Sequence, residues 1–182
     1  MIPMQRYIAF LRAINVGGHT VKMDALRVLF ESLGFINVET FIASGNVLFG
    51  TPDGDPREME TKIEACLRSA LGYEVATFIR TRAELAAIVG YVPFGSMEVE
   101  DASIYIAFLP VTLSEASTQK VKAFRTSIDE FYVKGREVYW LCRKISSEST
   151  FSGAALEKAL GMPATLRNST TIKKITAKQT QS

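Results

Sequence analysis

Apolar and polar positions follow two rhythms along this chain. Over residues 6–14, an alternation of period two sets Tyr7, Ala9 and Leu11 on one face and Ile8, Phe10 and Arg12 on the other, which predicts a strand. A glycine-centred loop, residues 15–22, follows. Residues 23–33 then place Met23, Leu26, Leu29, Phe30 and Leu33 at helical spacing, with Gly34 as the stop. Residues 38–43 and 47–49 are apolar runs split by Ser44-Gly45-Asn46, which predicts a hairpin. Pro56 sits at the first turn of a helix over 56–71, whose stripe is Met59, Ile63, Cys66, Leu67 and Ala70. A strand over 74–80 comes next. Thr81 with Glu84 then forms a capping box for a helix to about residue 89.

Beyond a stretch holding Gly90, Pro93 and Gly95, the order returns. Residues 103–109 read as a strand, 113–127 as a helix, 130–133 and 137–142 as a hairpin around Lys134-Gly135-Arg136, and 153–160 as a helix ended by Gly161 and Pro163. Residues 170–177 read as a last helix. Strand-helix-hairpin-helix thus occurs twice, starting near Arg6 and near Ser103, as a repeat of pattern without residue identity. The expected class is α+β: two ferredoxin-like βαββα subdomains related by a pattern-level duplication. The expected boundaries are 1–90, a linker over 91–101, and 102–182 with a basic C-terminal helix.

Composition narrows the function more than it names one. The chain has 182 residues, 47% hydrophobic and 22% charged, with a net charge of +2. That is ordinary globular material, large enough to bury about 70% of its unfolded surface. No window approaches a membrane span, and the N-terminus lacks the basic start and apolar core of a signal peptide, so a cytoplasmic protein is expected. From Gly161 onward there is no Asp or Glu, while Arg167, Lys173, Lys174 and Lys178 are present, so the positive excess lies at that end.

Three segments carry a resemblance: Leu11-Arg-Ala-Ile-Asn-Val-Gly-Gly18 leading to Lys22-Met-Asp-Ala-Leu26; Thr40-Phe-Ile-Ala-Ser-Gly-Asn46 with Phe49; and Ala164-Thr-Leu-Arg-Asn168 with Thr171 and Lys174. Together they resemble the bacterial family catalogued as domain of unknown function 1697, from about residue 6 to 175. The resemblance implies a paired α+β fold and carries over no catalytic residue. The family pattern has an aromatic after Arg-Asn, where this chain has Ser169.

Most catalytic arrangements are absent. His19 is the single imidazole, in a loop with no nucleophile motif beside it. Cys66 and Cys142 read as core thiols. No phosphate-loop or dinucleotide motif and no metal-ligand spacing occurs, so neither cofactor nor metal is expected. The candidate ligand-binding residues are Arg12, Asn15, Gly17, Gly18 and Lys22 in the first loop, Ser44, Gly45 and Asn46 in the hairpin, and Arg167 and Asn168 near the C-terminus. The glycines can expose successive amides, and Arg167 offers a planar fork for carboxylate or phosphate. Three functional readings follow. One is a binding module for a phosphate-bearing ligand or nucleic acid, with Tyr7, Phe10, Tyr105, Phe108 and Tyr139 as strand aromatics able to stack bases. Another is an enzyme for a small anionic substrate, with Arg167 as clamp and Asn15, Ser44 or Asn46 orienting it. An interaction protein pairing through an exposed sheet edge is a third.

Overall fold

The computed structural model describes residues 4–42, 45–52, 54–95 and 102–180. The chain divides into two compact units. One comprises the chain through Ala86 together with the end from Lys178; the other is Ala87–Ala177.

The first unit runs β1 (Met4–Leu11), α1 (Met23–Ser32), β2 (Ile36–Thr40), β3 (Asn46–Pro52), α2 (Pro56–Leu71) and β4 (Thr77–Thr81). Its strands form an antiparallel sheet in the order β2–β3–β1–β4. This is the ferredoxin-like arrangement, with a closing fourth strand. Tyr7, Ala9 and Leu11 pack toward Leu26 and Phe30 of α1 and Ile63 and Leu67 of α2. Ile8 and Phe10, on the other face, are equally buried, so β1 is covered on both sides. Asp55 accepts the Arg57 N–H at 2.9 Å to start α2, and Gly72 ends it at φ 82°.

The outer edge of β4 is closed by carboxylates. Glu64 and Glu60, one helical turn apart on α2, accept the backbone N–H groups of Thr77 and Ile79, each at 2.8 Å. Glu84 accepts the Thr81 N–H at 2.7 Å, and the Thr81 hydroxyl accepts the Glu84 N–H at 3.1 Å. That is the capping box expected from the sequence, and it starts α3 (Arg82–Gly90). The division between the units falls inside α3.

The second unit repeats the plan with β5 (Ser103–Phe108), α4 (Glu115–Lys122), β6 (Asp129–Lys134), β7 (Glu137–Cys142), α5 (Gly153–Leu160) and β8 (Thr165–Asn168). Its antiparallel order is β6–β7–β5–β8. α6 (Ser169–Thr180) follows at once. Phe131, Trp140 and Phe151 form the aromatic centre between this sheet and Val121 of α4 and Leu156 of α5. Tyr91 and Phe94, within the expected linker, pack edge-on against Tyr139 and Tyr132. Residues 96–101 of that linker lie outside the described residues.

Two expectations change. Arg167 and Asn168, in a stretch for which the sequence predicts no element, lie on a strand. β8 escapes a periodicity reading because its buried positions are Thr165 and Arg167, both polar. α4 ends at Lys122, short of residue 127. Beyond it the Thr126 hydroxyl accepts the N–H groups of Ile128 and Asp129, a side-chain turn that competes with another helical turn.

Two nodes tie the units internally. In the second, buried Asp129 accepts from the Trp140 indole N–H (2.8 Å) and the Ser149 hydroxyl (2.9 Å) on Oδ1, and from the Thr126 hydroxyl (2.8 Å) on Oδ2. In the first, Glu39 accepts from Lys178 Nζ at 2.7 Å and Arg6 at 3.1 Å. Lys178 also lies 5.7 Å from the Phe41 ring centroid. The Lys178 contact, above all, holds the Glu39 carboxyl below its ordinary range.

Asp129→Ala strands three donors and should destabilise the fold by about 3 kcal/mol in urea unfolding; a loss below about 1 kcal/mol would show the node to be dispensable. The depressed Glu39 carboxyl adds stability above its unfolded value that is lost as pH falls through the folded one. Because the pair is partly exposed, the effect should stay under about 1 kcal/mol. Glu39→Gln should therefore be the less stable protein at neutral pH and match the parent once acid has protonated the carboxyl in the folded protein as well, in unfolding curves at neutral and at strongly acidic pH.

Candidate functional site

One end of the first sheet gathers three connections. The Leu11 N–H donates to the Gly45 carbonyl at 2.8 Å, drawing the β2–β3 hairpin onto the loop after β1. The Arg12 N–H donates to the Ala76 carbonyl at 2.9 Å, and the Tyr73 hydroxyl to the Ile14 carbonyl at 2.8 Å, which brings in the α2–β4 connection. His19 stacks on Tyr73 with ring centroids 3.9 Å apart. The loop is closed by Asn15, whose Oδ1 accepts the Val21 N–H at 2.7 Å just before α1.

Backbone strain collects here. Ala13 and Ile42 take φ of 53° and 58°, uncommon for any residue with a Cβ and more so for a β-branched one. Gly17 and Gly18 follow with φ of 70° and 86°, and a Cβ at either would meet nothing within 4 Å, so dihedral freedom alone calls for glycine. Gly45 is different. At φ 77°, a Cβ there would lie 2.9 Å from the Ile14 side chain and 3.0 Å from the Leu11 Cβ. Val16 and Ile42 are exposed apolar side chains on these loops.

The candidate residues therefore take different roles. Gly17, Gly18 and Lys22 are exposed, and Arg12 is half-buried. Asn15 and Asn46 hold the loops. Asn46 is fully buried and donates from Nδ2 to the Phe41 carbonyl at 2.9 Å. Ser44 lies outside the described residues. Arg167 and Asn168 belong to the second unit. Arg167 is 8% exposed; its guanidinium donates to the Thr165 hydroxyl at 2.7 Å and the Leu166 carbonyl at 2.9 Å, and burial pulls its pKa down to about 10. Asn168 Oδ1 accepts the Thr170 N–H at 2.8 Å and caps α6.

Sequence reasoning missed Arg80. It is the first-unit counterpart of Arg167: 1% exposed, donating to the Ile79 carbonyl at 2.8 Å, and paired with Ile8 on β1 as Arg167 is paired with Ile106 on β5. The signal was present as Ile79-Arg80-Thr81 against Leu166-Arg167-Asn168, an apolar residue, an arginine and a helix cap.

The strand aromatics do not form a stacking platform. Tyr7, Phe10, Phe108 and Tyr139 are buried, and Tyr105 stacks on Trp140 at 4.8 Å. Cys142 is buried, which pushes its thiol pKa up, and Cys66 is half-buried. Among the described residues no group of three or more His, Cys, Asp or Glu is placed to hold a metal, and no helix is long and apolar enough to cross a membrane.

A family model described as a protein of unknown function (DUF1697) matches residues 4–139. A solved structure of a conserved bacterial protein from Streptococcus pneumoniae is similar over 96% of this chain and 98% of its own, with a TM-score of 0.76 and 24% identity, and shares the fold. No curated protein matches.

Gly45→Ala combines a disfavoured dihedral with overlap against Leu11 and Ile14. It should cost at least about 2 kcal/mol, whereas Gly18→Ala should cost about 1 kcal/mol. Equal losses in thermal unfolding would show that the hairpin does not lean on the β1 loop.

Proposed function

The chain belongs to the DUF1697 family of proteins of unknown function, and we propose for it the role of a cytoplasmic binding module for a phosphate-bearing small molecule at the loop end of the first sheet. The observation that carries this reading is the Leu11–Gly45 hydrogen bond, which sets the strained hairpin against the start of the loop that carries the exposed glycine pair. Two successive residues of positive φ leave backbone amides free to turn toward an anion. Lys22 adds an exposed ammonium at the foot of the same loop, and the half-buried Arg12 opens it. The His19–Tyr73 stack beside them offers a flat surface for an aromatic or sugar moiety.

A small molecule is favoured over nucleic acid because the strand rings are core residues, which removes the row of stacking surfaces that single strands use. The enzyme reading is weaker, because the side-chain amides of Asn15 and Asn46 already hold the loops in shape.

Calorimetry of the full chain with inorganic phosphate, a nucleoside monophosphate and a labelled single-stranded RNA tests this. The monophosphate should bind saturably, more weakly as salt is added, and Lys22→Ala should cost about fivefold in affinity without altering the unfolding temperature. No saturable binding of either phosphate ligand, or an affinity that ignores Lys22→Ala, would overturn it. Tighter binding of the RNA would point to nucleic acid instead.

A further inference from the structure

We infer that the second unit carries a ligand site of its own, a cavity on the sheet face away from α4 and α5 that takes a compact apolar carboxylate. The cavity has a volume of about 60 Å³. Its floor is Ile104 and Ile106 of β5 and Tyr139 of β7. Ile88, Val92 and Pro93 wall one side, and Ser169 and Lys173, on the first turns of α6, stand on the other. All of these residues lie between Ala87 and Ala177. The site does not depend on the phosphate reading of the first unit.

The wall is held from behind. The Tyr91 ring meets Tyr139 edge-on at 5.1 Å, with the Lys134 ammonium 4.0 Å from its centroid. Phe94, buried, meets Tyr132 edge-on at 5.4 Å. Interiors close over such gaps when their walls are free to move. Here the aromatic contacts pin the segment at Tyr91 and Phe94, so the space between is built in.

Depth and polarity choose the occupant. Ile88, Ile106 and Tyr139 are buried while Val92 and Lys173 are exposed, so the floor is dry and the mouth opens between Val92 and Lys173. Among the described residues that line it, Lys173 is the one cation and no carboxylate accompanies it. A ligand that places branched or aromatic carbon over Ile106 and leaves a single negative charge at Lys173 matches both ends. A phosphate dianion would lose hydration against these apolar walls, and a neutral molecule would forgo the ammonium. Burial, with Glu137 and Tyr91 nearby, raises the Tyr139 phenol well above its ordinary range, so it stays a neutral group at the floor.

Ligand-observed NMR and calorimetry with benzoate and pivalate, against benzamide and inorganic phosphate, test the assignment on the full chain. A carboxylate should bind saturably, with benzamide and phosphate at least about tenfold weaker. Lys173→Met, which keeps the stem and removes the charge, should weaken the carboxylate about tenfold and leave benzamide unchanged. Val92→Trp, at an exposed position of the mouth, should block the carboxylate while the far-ultraviolet dichroism and unfolding temperature stay those of the parent. Lys22→Ala, in the other unit, should have no effect. Absence of saturable carboxylate binding, or an affinity unchanged by either Lys173→Met or Val92→Trp, would overturn the proposal.

Discussion

The outer edge of β4 is where the first unit is decided. Every second residue of that strand points its N–H away from β1, and the groups of Thr77, Ile79 and Thr81 each end on a carboxylate, from Glu64, Glu60 and Glu84. Left bare and buried, each would cost on the order of 1–3 kcal/mol; exposed, they would form a template for another strand. Closure by α2 fixes the strand against its helix and ends the sheet there. It also sets Arg80 at its buried position and delivers Thr81 to the start of α3. In the second unit Glu157 of α5 accepts the Ala164 N–H at 2.8 Å just before β8. The placement of Arg167, the Asn168 cap and the first turns of α6 follow from it.

Seen this way, the duplication extends beyond the order of elements. β4 and β8 each end in an arginine that bonds back to the preceding carbonyl, then a residue that caps the next helix. The cross-strand rows diverge at the central strand. Ile8 has Leu48 beside it in the first sheet, and Ile106 has Tyr139 in the second. That exchange puts a phenol beside the central strand of the second sheet where the first has an aliphatic side chain.

Much of the fold was legible because its elements are bounded by strong punctuation. α2, β7 and α5 begin and end where Pro56 and Gly72, the Gly135 turn, and Ser152 and Gly161 require. β8 was illegible because its inward side chains are a threonine and an arginine whose burial makes sense only once partners are in place. The glycine loop and hairpin were legible as unusual backbone, since consecutive glycines and Ser-Gly-Asn imply positive φ whatever surrounds them. That Asn15 and Asn46 hold the loops in shape was illegible, because each side chain's partner is set by how the loop closes. The basic end looked uniform in sequence, yet Arg167 is buried, Lys173 edges a cavity and Lys178 binds Glu39.

The Glu39–Lys178 pair joins residues separated by most of the chain. During synthesis the first sheet can emerge and collapse early, but Glu39 meets its ammonium only after the second unit has been made. Until then Glu39 keeps its contact with Arg6 but lacks the Lys178 ammonium, and the Phe41 ring lacks its cation. Completion of the first unit is thus a late event in the life of the nascent chain, although nearly all of its residues are made first.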